Sequence, residues 1–184
     1  MGFPAPTPSA AFSQPVGAPA REDVVAALRA IQTTANAIVH RDPVTGIVLP
    51  ATDVDLFAPR GRLLAFYFSG HWCPPCRAFT PTLRDAYGAL LGRSGASRAP
   101  LEIIYVSADR SEAEFTEYVA EMPWLALAYA NEALRKAISD LFNVSAVPTL
   151  VVVDPADGSV VQVSVLLYTV TFYANHAHSL TRSP

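Results

Sequence analysis

The sequence predicts an α/β fold, a central mixed sheet with helices on both faces, and three observations lead there. Residues 63–68 and 101–107 are largely apolar runs without strict alternation, the pattern of strands buried on both sides. A segment of helical composition separates them, so the pair reads as a βαβ unit with parallel strands. A third apolar run, 149–153, is followed by the hairpin signal Asp157-Gly158 and a returning strand from Val160, which adds an antiparallel edge.

Residues 1–20 carry prolines at 4, 6, 8, 15 and 19 among Ala, Ser and Thr, which reads as a disordered Pro-rich arm. Order is expected from Arg21. Apolar residues at Val24, Leu28, Ile31, Ala35 and Ile38 alternate spacings of four and three, predicting one helix face that Pro43 and Gly46 close off. Ile47 to Leu49 reads as a short edge strand limited by Pro50. Gly61 precedes the first buried strand. Residues 77–91 read as a helix, with Pro81 withholding one backbone donor and predicting a kink. Residues 92–98, rich in Gly and Ser, read as a loop. Ser111 and Glu114 have the spacing of a capping box and open a helix through Tyr118 and Val119. Met122-Pro123-Trp124 reads as a turn, and Leu134, Ile138, Leu141 and Phe142 line a further helix that begins at Asn131 or Glu132.

The 184 residues are 51% hydrophobic and 16% charged, which fits a folded domain and excludes wholesale disorder. The net charge is −3 and the 13 Lys and Arg are scattered, so no basic field for nucleic acid is present. No apolar stretch is long enough for a membrane-spanning helix. The opening Met1-Gly2-Phe3-Pro4 lacks the charged and apolar regions of a signal peptide, and Pro6 stands where a myristoylation motif has Ser or Thr. A cytoplasmic location is expected.

The two cysteines stand three positions apart in His71-Trp72-Cys73-Pro74-Pro75-Cys76. A secreted disulfide scaffold has more cysteines at longer spacings, so this pair points to a working dithiol in a reducing compartment. Cys73 falls between a buried strand and a helix, where unpaired N–H groups and the helix dipole favour a thiolate, the nucleophile of disulfide exchange. Cys76, one turn on, is near enough to attack a mixed disulfide. Pro74 and Pro75 fit the first turn, whose N–H groups have no intrahelical partner, but they remove donors from the thiolate. Arg77 reads either as favourable charge beside the pair or as a solvated side chain. A zinc site needs two more ligands; no second cysteine pair exists, and His40, His176 and His178 fall outside ligand spacing. No metal and no bound cofactor beyond a Cys73–Cys76 disulfide are expected.

The segment from Tyr67 through Trp72-Cys73-Pro74-Pro75-Cys76 to Phe79-Thr80-Pro81 resembles the active site of tryparedoxins and nucleoredoxins of the thioredoxin superfamily. The likeness continues in Met122-Pro123-Trp124-Leu125-Ala126, Phe142-Asn143-Val144, Val147-Pro148-Thr149-Leu150, Asp154 and Asp157-Gly158, over about residues 60–163. It implies a thioredoxin-like fold over residues 21–165 and thiol–disulfide oxidoreductase activity. Cys73 would be the exposed nucleophile and Cys76 the buried resolving thiol. Trp72 would be an exposed indole beside the site, though an isolated Trp reads equally as core. Pro148 would be a cis-proline that lets a substrate pair with the backbone of Val147; without the resemblance it reads as trans. Tyr67 falls where thioredoxins place a buried acid, and also reads as plain core packing.

The resemblance further implies that electrons come from trypanothione, another small dithiol or a reductase. They would pass to disulfide-containing proteins such as peroxiredoxins. The chain departs from the tryparedoxin pattern after the hairpin. Residues 161–168 hold no arginine and no phenylalanine-proline-tryptophan segment follows; residues 166–184 read as a divergent tail, with 165–173 strand-like. The acidic cluster after the second buried strand is thinned to Asp109-Arg110-Ser111-Glu112, nearer the nucleoredoxin pattern. Two other readings are a nucleoredoxin-like redox-sensitive binding module with little turnover, and a degenerate paralogue.

Overall fold

The computed structural model describes residues 17–57, 62–94 and 100–164. The arm prolines at 4, 6, 8 and 15, Gly61, residues 95–99 of the expected loop, residue 165 and the tail 166–184 lie outside the described residues. At the centre is β3 (Leu63–Ser69), paired in parallel with β4 (Leu101–Ser107) and antiparallel with β6 (Thr149–Val153). Beyond β6 lies β7 (Val160–Ser164); beyond β4 come β5 (Leu125–Leu127), β1 (Ile38–Arg41) and the outer β2 (Val48–Pro50). The seven-stranded sheet is mixed: β3, β4 and β5 run parallel, and the other neighbouring pairs are antiparallel.

Side chains alternate across this sheet with a period of two, which sends each buried strand into two cores. Ala65 and Tyr67 of β3, Ile103 and Tyr105 of β4, and Leu150 and Val152 of β6 enter one apolar layer. That layer is closed by Leu83, Tyr87 and Leu90 of α2 (Pro74–Ser94) and by Phe115, Tyr118 and Val119 of α3 (Glu112–Val119). Leu64, Phe66, Phe68, Ile104, Val106, Val151 and Val153 enter the other. It is closed by Val24, Leu28 and Ile31 of α1 (Arg21–Thr33) and Ile138 of α4 (Glu132–Leu141). Each fully buried Leu, Ile, Val or Phe contributes about 1.5–3 kcal/mol of transfer free energy, so the two layers hold the sheet from both sides. The predicted α/β class with helices on both faces is the observed one.

Three local expectations differ. The helix predicted through Ile38 ends at Thr33. The Thr33 and Thr34 hydroxyls bond the carbonyls of Arg29 and Ala30, and Asn36 turns the chain at φ 54°. Ile38 then enters the same apolar layer as α1, but from strand β1, while Ala35 is exposed. Pro50 does not limit β2 but belongs to it, opposite Val39; on an outer strand its missing N–H costs no ladder bond. The loop expected from residue 92 starts later, since α2 runs to Ser94 and holds Pro81 within it. The three residues of β5, which follow the Met122-Pro123-Trp124 turn, carry no strand signal of their own in the sequence.

The capping expectation at Ser111 holds in part. Its hydroxyl accepts the Glu114 N–H at 3.2 Å, while the Glu114 carboxylate reaches one residue further back, to the Arg110 N–H at 2.9 Å. The hairpin between β6 and β7 turns at Gly158, whose φ is +75°, and its tip lies against the start of α1. Arg21 pairs with Asp157 at 2.6 Å. A Cβ built on Gly158 would stand 2.2 Å from the Arg21 carbonyl oxygen. Backbone faces backbone there, so neither side can step aside. Asp157 accepts the Ser159 N–H at 2.8 Å, and its bonds to Ser159 hold its carboxyl below the usual range.

Gly158→Ala is expected to lower Tm by at least about 5 °C, because the left-handed backbone and the carbonyl clash each cost on the order of 1 kcal/mol or more. Gly88→Ala is its control: that glycine is exposed in α2 and a methyl group there would meet nothing within 4 Å, so its change raises Tm slightly. Thermal unfolding of both variants checks the contrast.

Candidate active site

Where β3 ends, the chain leaves the core through Ser69, Gly70, His71 and Trp72 and enters α2 at Pro74. Cys73 stands just before the first helical residue. Its carbonyl accepts the Arg77 N–H at 3.1 Å, and its own N–H donates to Gly70 O at 3.1 Å. Cys73 and Cys76 are joined as a disulfide with a Cα–Cα distance of 5.2 Å. The Cys76 N–H donates to Cys73 Sγ at 3.3 Å. Pro74 and Pro75 have no N–H, so Cys76 supplies the first backbone donor of the helix, and it is aimed at the Cys73 sulfur. Cys73 is 4% exposed and Cys76 is fully buried. The resemblance implied an exposed Cys73; it is the accessible member of the pair only by this small margin, with the Val147 carbonyl oxygen close to its sulfur.

The Val147–Pro148 peptide is cis, and the Val147 carbonyl oxygen lies 3.8 Å from Cys73 Sγ. This brings residues 147–148, on the approach to β6, against a dithiol that follows β3. Trp72 is 39% exposed, so its ring is not core; its indole N–H donates to Ala108 O at 2.8 Å. Gly70 makes room for that ring, since a Cβ there would stand 2.7 Å from Trp72 Nε1. Arg77 is neither free nor placed at the sulfurs: its Nη1 donates to His71 O at 2.7 Å and braces the loop. His71 Nδ1 lies 3.7 Å from a Glu117 carboxylate oxygen.

Tyr67 is fully buried under α2 and belongs to a cluster of hydroxyls. Its OH lies 2.8 Å from Thr80 Oγ1 and accepts from Ser69 Oγ at 3.0 Å. Tyr118 OH completes the group, 2.5 Å from Thr80 Oγ1 and 3.2 Å from Ser69 Oγ. Thr80 Oγ1 also meets the Cys76 carbonyl at 3.0 Å. Burial, and then Tyr118 beside it, push the Tyr67 phenol far above its ordinary range, so Tyr67 keeps its proton at neutral pH. The cluster is a neutral floor beneath Cys76, not a buried charge.

One functional residue is not evident from the sequence. Asp109, 7% exposed, follows β4 and reaches under the dithiol loop. Its Oδ1 accepts the His71 N–H at 2.6 Å; its Oδ2 accepts Tyr105 OH at 2.5 Å and Ser107 Oγ at 2.7 Å. Tyr105 OH also lies 3.2 Å from Ser69 O, and the Ala108 N–H donates to Ser69 O at 2.8 Å. Burial and the adjacent Asp109 charge raise the Tyr105 phenol, which therefore stays a donor. The loop before Cys73 is thus held by the end of β4. An acid directly after a buried strand is the available signal, but the sequence presents it only as one member of a thinned acidic cluster. Among the described residues no three His, Cys, Asp or Glu side chains gather as a metal site.

A two-cysteine disulfide at the mouth of a helix, set beside a cis-proline on a mixed sheet with helices on both faces, defines the thioredoxin-superfamily oxidoreductase class. The family model described as Thioredoxin-like matches residues 61–160. Nucleoredoxin of Danio rerio is 43% identical over 100 residues, covering 54% of this chain and 23% of the relative. Tryparedoxin of Trypanosoma brucei brucei is 31% identical over 117 residues, 64% of this chain and 78% of the relative. Among solved structures, tryparedoxin II complexed with glutathionylspermidine superposes with a TM-score of 0.62 at 29% identity, covering 83% of this chain and 94% of that one. The chain belongs to the tryparedoxin and nucleoredoxin family of the thioredoxin superfamily. It spans less than a quarter of the length of the nucleoredoxins it matches.

Asp109→Ala strands three donors near the loop and is expected to cost about 2–4 kcal/mol, with a Tm several degrees lower and slower disulfide exchange. Asp109→Asn keeps an acceptor for the His71 N–H and loses less. A melting temperature for Asp109→Ala within about 2 °C of wild type would remove this positioning role.

Proposed function

We propose that the chain reduces protein disulfides by two-step thiol exchange. In the reduced protein the Cys73 thiolate attacks one substrate sulfur; the substrate S–S bond breaks and the first substrate sulfur leaves as a thiolate, which takes up the proton that Cys76 gives up. The Cys76 thiolate then attacks the Cys73 sulfur of the mixed disulfide, the second substrate sulfur leaves as a thiolate that solvent protonates, and the Cys73–Cys76 disulfide closes. Two electrons pass to the substrate. The observation that carries this reading is the Cys76 N–H held 3.3 Å from Cys73 Sγ, a donor that strengthens as charge develops on that sulfur.

Val147 supports substrate binding with a carbonyl beside Cys73 and a backbone open to pairing with an extended substrate chain. Pro148, in cis, sets Val147 there, and Trp72 offers an exposed apolar surface next to the nucleophile. Pro74 and Pro75 fix the first turn, and Tyr67 packs beneath it. In this reading the protein is a cytoplasmic carrier. It takes electrons from trypanothione, another low-molecular-weight dithiol or a reductase, and passes them to peroxiredoxin-type peroxidases.

Dithiothreitol-driven insulin reduction tests the chemistry. Cys73→Ser is expected to lose at least about a hundredfold of the rate, since no other nucleophile replaces the thiolate. Cys76→Ser is expected to accumulate a mixed disulfide on Cys73, and mass spectrometry of the captured protein names the physiological substrate. Equal insulin turnover by wild type and Cys73→Ser would sink the proposal.

A further inference from the structure

Arg110 stands one residue past Asp109, and its guanidinium carbon lies 4.7 Å from the Trp72 ring centroid. This is a cation–π stack on the exposed indole that immediately precedes Cys73. Both partners are fixed by backbone bonds. The indole N–H holds Ala108 O at 2.8 Å, and the Arg110 N–H holds the Glu114 carboxylate at 2.9 Å. The cation is therefore presented at a defined place beside the dithiol.

The charges around the dithiol loop are already engaged. Arg77 is bound to the His71 carbonyl, Glu117 faces the His71 ring, and Asp109 is buried among three donors. Glu114 accepts the backbone N–H of Arg110 itself, yet it lies outside ion-pair reach of the guanidinium. Among the described residues Arg110 forms no ion pair, and its side chain makes no hydrogen bond. A planar guanidinium with uncommitted donors suits a carboxylate, which it can meet with two parallel bonds.

We infer that Arg110 is a specificity residue that selects disulfides carrying negative charge next to the scissile bond and disfavours cationic ones. The inference rests on the exchange chemistry proposed above and names the substrate class of that same site. Of the electron donors proposed above, one that carries a polyamine would meet repulsion at Arg110 and one without it is favoured; an anionic peptide disulfide or an acidic protein loop would be drawn in.

The test uses the pre-reduced protein mixed with glutathione disulfide (anionic), cystamine (cationic) or 2-hydroxyethyl disulfide (neutral). Thiol release is followed as a second-order rate constant. The readout is the ratio of the glutathione disulfide rate to the cystamine rate, each normalised to the neutral compound in the same variant. Arg110→Glu is expected to lower that ratio roughly tenfold, Arg110→Gln to lower it less, and Arg110→Lys to keep most of it; high salt compresses the differences. A ratio that is the same in all four proteins, or that ignores salt, overturns the inference. Wild type that releases thiol from none of the three compounds overturns the exchange chemistry itself, and the inference with it.

Discussion

The rest of the structure depends on the burial of β3. It is hydrogen-bonded on both edges, to β4 and β6, and covered on both faces, so its residues can leave the core only along the strand axis. Where it ends, backbone groups need new partners, and helix α2 begins within a few residues. Cys73 occupies that crossing. It sits at the lip of the core, beside the unpaired donors of a helix start, on a scaffold that cannot shift without disturbing both apolar layers.

Two polar clusters adapt this crossing to chemistry, and they differ in kind. Below Cys76 the hydroxyls of Tyr67, Ser69, Thr80 and Tyr118 satisfy one another without introducing charge. Under the preceding loop a single carboxylate, Asp109, gathers a backbone N–H and two hydroxyls. A buried carboxylate with several donors is stable where an isolated one would not be. The neutral cluster lies beneath the buried Cys76, while the anionic cluster ties the loop of Cys73 to β4.

What is legible in the amino-acid sequence follows the strength of local signals. Strands β3, β4 and β6 announce themselves because burial on both faces demands continuous apolar runs. The three-residue β5 and the four-residue β1 do not, since they exist as strands only through pairing with each other and with β4 and β2 on either side. The helical pattern of α1 overshoots its true end because Ile38 keeps helical spacing yet reaches the same apolar layer from a strand. In the site, Cys73, Cys76, Trp72 and Pro148 are visible from motif and resemblance. Asp109 is not, because its partners His71, Tyr105 and Ser107 come together only when β4 is laid beside β3.

The central claim is that the fold makes Cys73 the reactive thiolate of the pair through one backbone donor from Cys76. Alkylation of the reduced protein with iodoacetamide across pH, with peptide mapping of each cysteine, addresses it most directly. Cys73 is expected to be labelled first, while Cys76 is protected. Equal labelling of the two cysteines, or faster labelling of Cys76, would contradict it.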